Sequence, residues 1–142
     1  MNTTINQTHG AATAADNIGS SAGHQAFRIL RFGFTVAPIL AGLDKFFHLL
    51  VNWDQYLPGV VANVSPIPPH TLMLVVGLIE IVAGIGVALK PRIFAYVVAA
   101  WLAVIIINLL LIPGYFDVAL RDFGLLLAAL ALGQLSQQFA RR

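Results

Sequence analysis

Twenty consecutive residues, Ile93 to Ile112, carry no charged side chain, and the run is fenced by Lys90-Pro91-Arg92 on one side and Pro113-Gly114 on the other. At 1.5 Å per helical residue such a run matches the roughly 30 Å hydrocarbon core of a bilayer. A strand of that length would leave its backbone groups unpaired in lipid, so the segment reads as a transmembrane helix. The rest of the chain repeats the message. Residues 71–89 hold Glu80 as their only charged residue and stop at Lys90-Pro91, and two further apolar segments, 32–50 and 116–135, are interrupted by Asp44 and Lys45 and by Asp117, Arg121 and Asp122.

With 142 residues, 58% hydrophobic and only 10% charged, the chain has too little polar surface for a water-soluble domain. The expected architecture is all-α: a polytopic membrane four-helix bundle over residues 26–142, with spans at about 32–50, 71–89, 93–112 and 116–135, in contact with the lipid bilayer. Residues 1–25 are rich in Asn, Thr, Ala, Gly and Ser without bulky apolar runs, and are expected to be a disordered cytoplasmic tail. The segment between the first two spans contains Pro58, Pro66, Pro68 and Pro69 beside Trp53 and Tyr56, the composition of an interfacial loop.

Arg28, Arg31, Lys90, Arg92, Arg141 and Arg142 fall on the tail, the second connection and the C-terminus. The excess of Lys and Arg in cytoplasmic connections then orients the chain with both ends inside. A net charge of +2 provides no basic face for nucleic acid. The absence of cysteine excludes disulfides and thiol chemistry within the chain itself.

Ionisable residues inside membrane helices are costly and mark functional sites or ion-pair locks. Counting depth along each span places Asp44, Lys45, Asn108, Arg121 and Asp122 roughly 6 to 9 Å below the outer boundary, with Glu80 about 13 Å down. These six are the candidate ligand-binding or proton-relay residues. Lys45 and Arg121 suit an anion or a carbonyl, and Glu80 or Asp122 suits a proton relay. The same residues also suit a neutral ion-pair network, with Asp117 and Arg121 spaced as an i, i+4 pair. Small-residue stripes at Gly33, Ala37, Ala41, Asp44 and His48, at Gly77, Glu80, Gly84 and Ala88, and at Asp122, Ala129 and Gly133 are the expected inward faces, joined by Val97, Trp101, Val104 and Asn108. His48 and His70 can meet at the outer end, but without a tight ligand spacing such as H-x-x-x-H no metal site is expected. Phe46, Phe47, Trp53, Tyr56 and Trp101 suit packing, interfacial anchoring or the walls of a flat ligand's pocket.

Three elements in order, Ala41-Gly42-Leu43-Asp44-Lys45-Phe46, Gly77-Leu78-Ile79-Glu80-Ile81-Val82-Ala83-Gly84 and Ala119-Leu120-Arg121-Asp122-Phe123-Gly124-Leu125, resemble the DoxX-like family of small four-helix bacterial membrane proteins. The resemblance spans about residues 28 to 137. It implies a multi-pass protein of the bacterial inner membrane and a subunit or accessory role in a quinone-linked redox system, with thiosulfate or sulfur oxidation among the roles of relatives. A quinone is then the implied cofactor, and a membrane or periplasmic redox protein the implied partner, with homo-oligomerisation a further option. The alternatives are a small proton-coupled transporter and a ligand-free structural or assembly protein. The sequence does not decide whether the chain is an enzyme.

Overall fold

The computed structural model describes residues 2–140, with side chains described for 16–59 and 63–140. Its elements are helix α1 (Asn2–Phe47), a 3₁₀ turn (Trp53–Tyr56), the short helix α2 (Gly59–Val64), and helices α3 (Pro69–Leu89), α4 (Pro91–Leu110) and α5 (Phe116–Phe139). Four helices are long and apolar enough to cross a membrane: α3, α4, α5 and the Asp16–Phe47 portion of α1. At 21 and 20 residues, α3 and α4 measure about 30 Å each, the thickness of a bilayer's apolar core.

The chain itself sets these boundaries. Pro69 and Pro91 stand at the first helical positions of α3 and α4. There the missing N–H has no intrahelical partner to lose and the fixed φ already suits a helix. α1 ends where His48 takes a left-handed φ of 54° and its N–H donates to Asp44 O at 2.6 Å. Gly114, at φ 97°, makes the reversal between α4 and α5.

Where the sequence reads as a disordered tail over residues 1–25, α1 is continuous from Asn2 through Pro38 to Phe47. The segment is rich in alanine, the best helix former, and contains no proline before Pro38. Tertiary contacts add to propensity from Gly23 onward. A Cβ at Gly23 would stand 3.0 Å from the Phe139 ring of α5, and His24 meets that ring edge-on at 5.5 Å. Met1, Arg141 and Arg142 lie outside the described residues, so the tail's first residue and the C-terminal arginine pair used for orientation do too.

α1 packs against α3 and α5, and α4 against α3 and α5, so the four long helices close into a ring. One end gathers the remaining basic residues. Arg31 donates to Ala88 O at the end of α3, and Arg92 Nη2 donates to Gln137 Oε1 on α5 at 2.7 Å. The apolar core, with Phe27, Phe34, Val87, Ala95, Val98, Ala129 and Leu132, lies toward this end.

The distribution of polarity is inverted relative to a soluble protein. Lys45, Glu80 and Asp44 are only 2%, 9% and 6% exposed, whereas Leu40, Leu78, Val82, Ile93, Ile107 and Leu120 are all exposed. Water would penalise that apolar belt, while lipid does not distinguish it from its own tails. Helix association then depends on close packing. At the crossing of α1 and α3 a Cβ on Gly77 would stand 2.7 Å from Gly42 O, so only glycine admits this approach.

The α1 stripe is corrected in part. Gly33 has no neighbour within 4 Å of its Cβ direction and Ala37 is exposed, while Phe34, Gly42 and Lys45 face inward. On α4, Val97 and Val104 face outward, and Ala95, Val98 and Ala99 are buried instead. The physical cause is bulk. Phe27 and Phe34 fill the core-facing groove and turn the small residues one helical step outward.

Candidate functional site

The site is assembled where the C-terminal turn of α1 meets the middle of α3. The Lys45 stem runs along Gly77, whose missing side chain leaves room for it, and brings Nζ to 2.5 Å from Glu80 Oε2. Their side chains are 3% and 12% exposed. A lone buried charge is costly to desolvate, so each of the two is tolerable only because of the other.

One aromatic ring covers the ammonium. Lys45 Nζ stands 3.8 Å from the Trp53 ring centroid, a cation–π contact that replaces lost hydration. The Trp53 indole Nε1 donates to Asp44 Oδ2 at 2.7 Å. Adjacent positions on a helix point about 100° apart. Asp44 and Lys45 therefore do different work. Asp44 Oδ1 accepts from the backbone N–H groups of Leu49 and Leu50 at 2.9 and 3.0 Å, fixing the chain just beyond α1. Asp44 thus places the 3₁₀ turn, and the turn places Trp53 over Lys45.

α4 and α5 contribute Trp101 and Asp122. Both stand near the Glu80 carboxylate, and Asp122 is half-buried. The Trp101 Nε1 is buried and makes no hydrogen bond of standard geometry to any described residue. An indole N–H can only donate, and the acceptor it faces is the Glu80 carboxylate, in a loose contact short of a standard hydrogen bond.

Of the six sequence candidates, Lys45, Glu80 and Asp122 come together, and Asp44 touches the group through Trp53. Asn108 serves the loop instead, its Nδ2 donating to Tyr56 O at 2.8 Å. Arg121 points away. Its side chain is 76% exposed on the outer face of α5 and pairs with Asp117 at 3.4 Å. The expected inward Arg121 is thereby corrected, because burying Asp122 turns its neighbour outward on the helix. Trp53 and Trp101 prove to be integral to the site. Their interfacial and core positions gave no sequence signal for the Lys45 contact or for an indole N–H beside Glu80.

His48 and His70 do meet, their rings stacked at 5.4 Å between centroids. Asp54, which no spacing pattern singled out, lies with them.

Comparison with known proteins yields no matching family model, no curated relative and no matching solved structure.

Proposed function

We propose that this chain is a DoxX-like multi-pass protein of a bacterial inner membrane, with both ends cytoplasmic, acting as an accessory subunit of a quinone-linked redox system. The Trp101 indole carries this reading. A buried indole N–H that makes only a loose contact with Glu80, short of a standard hydrogen bond, is a donor that a carbonyl oxygen entering laterally from lipid could take up beside the Lys–Glu pair. Lys45 supplies a second donor to that carbonyl, Glu80 or Asp122 a proton-exchanging carboxyl, and Trp53 and Trp101 flat apolar walls. The chain has no cysteine and no haem or iron–sulfur ligation pattern, so electrons would pass to or from a partner protein. The three sequence elements described above support the family, and the grouping of Arg31, Lys90 and Arg92 at one end supports the orientation.

The test is quinone content by mass spectrometry in protein purified from membranes in mild detergent. Wild type should carry on the order of one quinone per chain, and Trp101→Phe, which keeps the ring and removes the donor, should lose it while keeping its helical circular dichroism. Wild type without quinone would overturn the reading.

A second reading is favoured by the Gly42–Gly77 contact immediately beside the pair. Here Lys45 and Glu80 are a ligand-free lock that fixes the register of α1 on α3, as buried ion pairs do in some assemblies. Quinone-free protein with unchanged cellular function in Glu80→Gln would establish it.

A further inference from the structure

At the loop end of the bundle, beyond the Lys45–Glu80 pair, three elements deliver ligating side chains to one point. His48 comes from the left-handed residue that ends α1, Asp54 from the 3₁₀ turn, and His70 from the first turn of α3. One ligand atom from each lies within 4.8 Å of the others. His70 Nδ1 and Asp54 Oδ2 are 3.4 Å apart. That separation equals the edge of a tetrahedral shell with bonds of about 2.1 Å, roughly 3.4 Å between ligand atoms. No pair of ligand atoms is more than 4.8 Å apart, so any pair would have to close by at most about 1.4 Å to reach that edge.

A second observation points to a missing partner. Asp54 Oδ1 is buried and accepts no hydrogen bond from any described residue. No lysine or arginine pairs with Asp54 among the described residues, whose only ion-pair partner is His70. The stacked His48 and His70 rings lie side by side, and each offers a ring nitrogen within 4.8 Å of the other and of an Asp54 carboxylate oxygen, the in-plane atoms through which imidazole binds a metal.

We infer that His48, Asp54 and His70 form a binding site for one divalent transition-metal ion, held by two imidazole nitrogens and one carboxylate. This ligand set suits borderline ions such as Zn²⁺ or Fe²⁺ over Ca²⁺ or Mg²⁺, which take oxygen-rich shells. Three protein ligands leave at least one position open to water or another small ligand. The inference stands independently of the quinone reading. It carries a consequence for the neighbouring pair: Asp54 follows Trp53, so the metal ties the turn that covers Lys45 to the ends of α1 and α3.

The experiment uses the full chain in mild detergent, freed of any affinity tag and chelator-treated, dialysed against buffered Zn²⁺, with bound metal counted by mass spectrometry. Wild type should take up about one Zn²⁺ per chain. His70→Ala and Asp54→Asn should each weaken binding by at least about ten-fold, the lower end of the cost of removing even a supporting partner. His70 is exposed at the start of α3, so its truncation threatens no core contact. Zn²⁺ should also raise the unfolding temperature of wild type and leave that of His70→Ala unchanged. A His9→Ala, His24→Ala variant should bind as wild type does. No stoichiometric Zn²⁺ in wild type, unchanged binding in His70→Ala and Asp54→Asn, or loss of binding in the His9, His24 variant would each overturn the site.

Discussion

Lys45 and Glu80 are 35 positions apart in the chain and 2.5 Å apart in space, and their contact lies beside the close approach of Gly42 on α1 to Gly77 on α3. Removing one member leaves the other as an uncompensated buried charge. Lys45→Met is therefore expected to destabilise the bundle by about 3–5 kcal/mol, and Lys45→Met with Glu80→Met to recover most of that loss. Thermal unfolding followed by circular dichroism in detergent checks both. A double variant as unstable as the single one would show that the charges do not act as a pair.

The glycines of α1 provide a contrast within one helix. Gly42→Leu drives a side chain into the backbone of α3 and is expected to abolish the folded bundle, whereas Gly33, with open space around it, should accept alanine with a gain of about 0.5–1 kcal/mol. Size-exclusion profiles and melting temperatures of the two variants make the comparison.

Asp44 holds the chain that leaves α1 through Leu49, Leu50 and Trp53. Asp44→Ala strands those donors, at about 1–3 kcal/mol for each one left buried and unpaired. Limited proteolysis should then cut within residues 48–58 at protease levels that leave wild type whole. Equal resistance would mean that the loop is held by other contacts.

Arg121 should be replaceable. Its ion pair with Asp117 is exposed, a class worth about 0–1 kcal/mol, and Arg121→Gln should change neither stability by more than about 0.5 kcal/mol nor quinone content. A loss of bound quinone in this variant would place the residue in the site after all.

Orientation can be read with single cysteines, since the chain has none of its own. Asn63→Cys, in the connection before α3, should react in intact cells with a membrane-impermeant thiol reagent, and Ser20→Cys only after the membrane is opened. The reverse pattern would invert the bundle.

The sequence alone determined what the bilayer demands. Runs of about twenty apolar residues, punctuated by Pro69, Pro91 and Pro113-Gly114, fixed the number of long helices and the ends of α3 and α4, because length, hydropathy and proline geometry are local properties. It also singled out Glu80, Lys45 and Asp122, since an ionisable residue in an apolar helix is conspicuous wherever it points. Direction was the harder matter. Neighbouring residues on a helix differ by about 100°, and α1 offers two competing stripes, small residues on one and Phe27, Leu30 and Phe34 on the other, of which the packing against α3 and α5 buries the second.

Only the tertiary structure decided that Arg121 faces out and Asp122 in, that Asp44 caps a loop and does not join the Lys45–Glu80 pair, and that Trp53 covers Lys45 while Trp101 stands by Glu80. It alone brought Asp54 between two histidines 22 positions apart. Those relations depend on how four helices rotate about their own axes and on where a proline-rich connection folds back. The rotations are set by close packing between segments distant in the chain, and a sequence records that packing only through the volumes of residues whose partners it does not name.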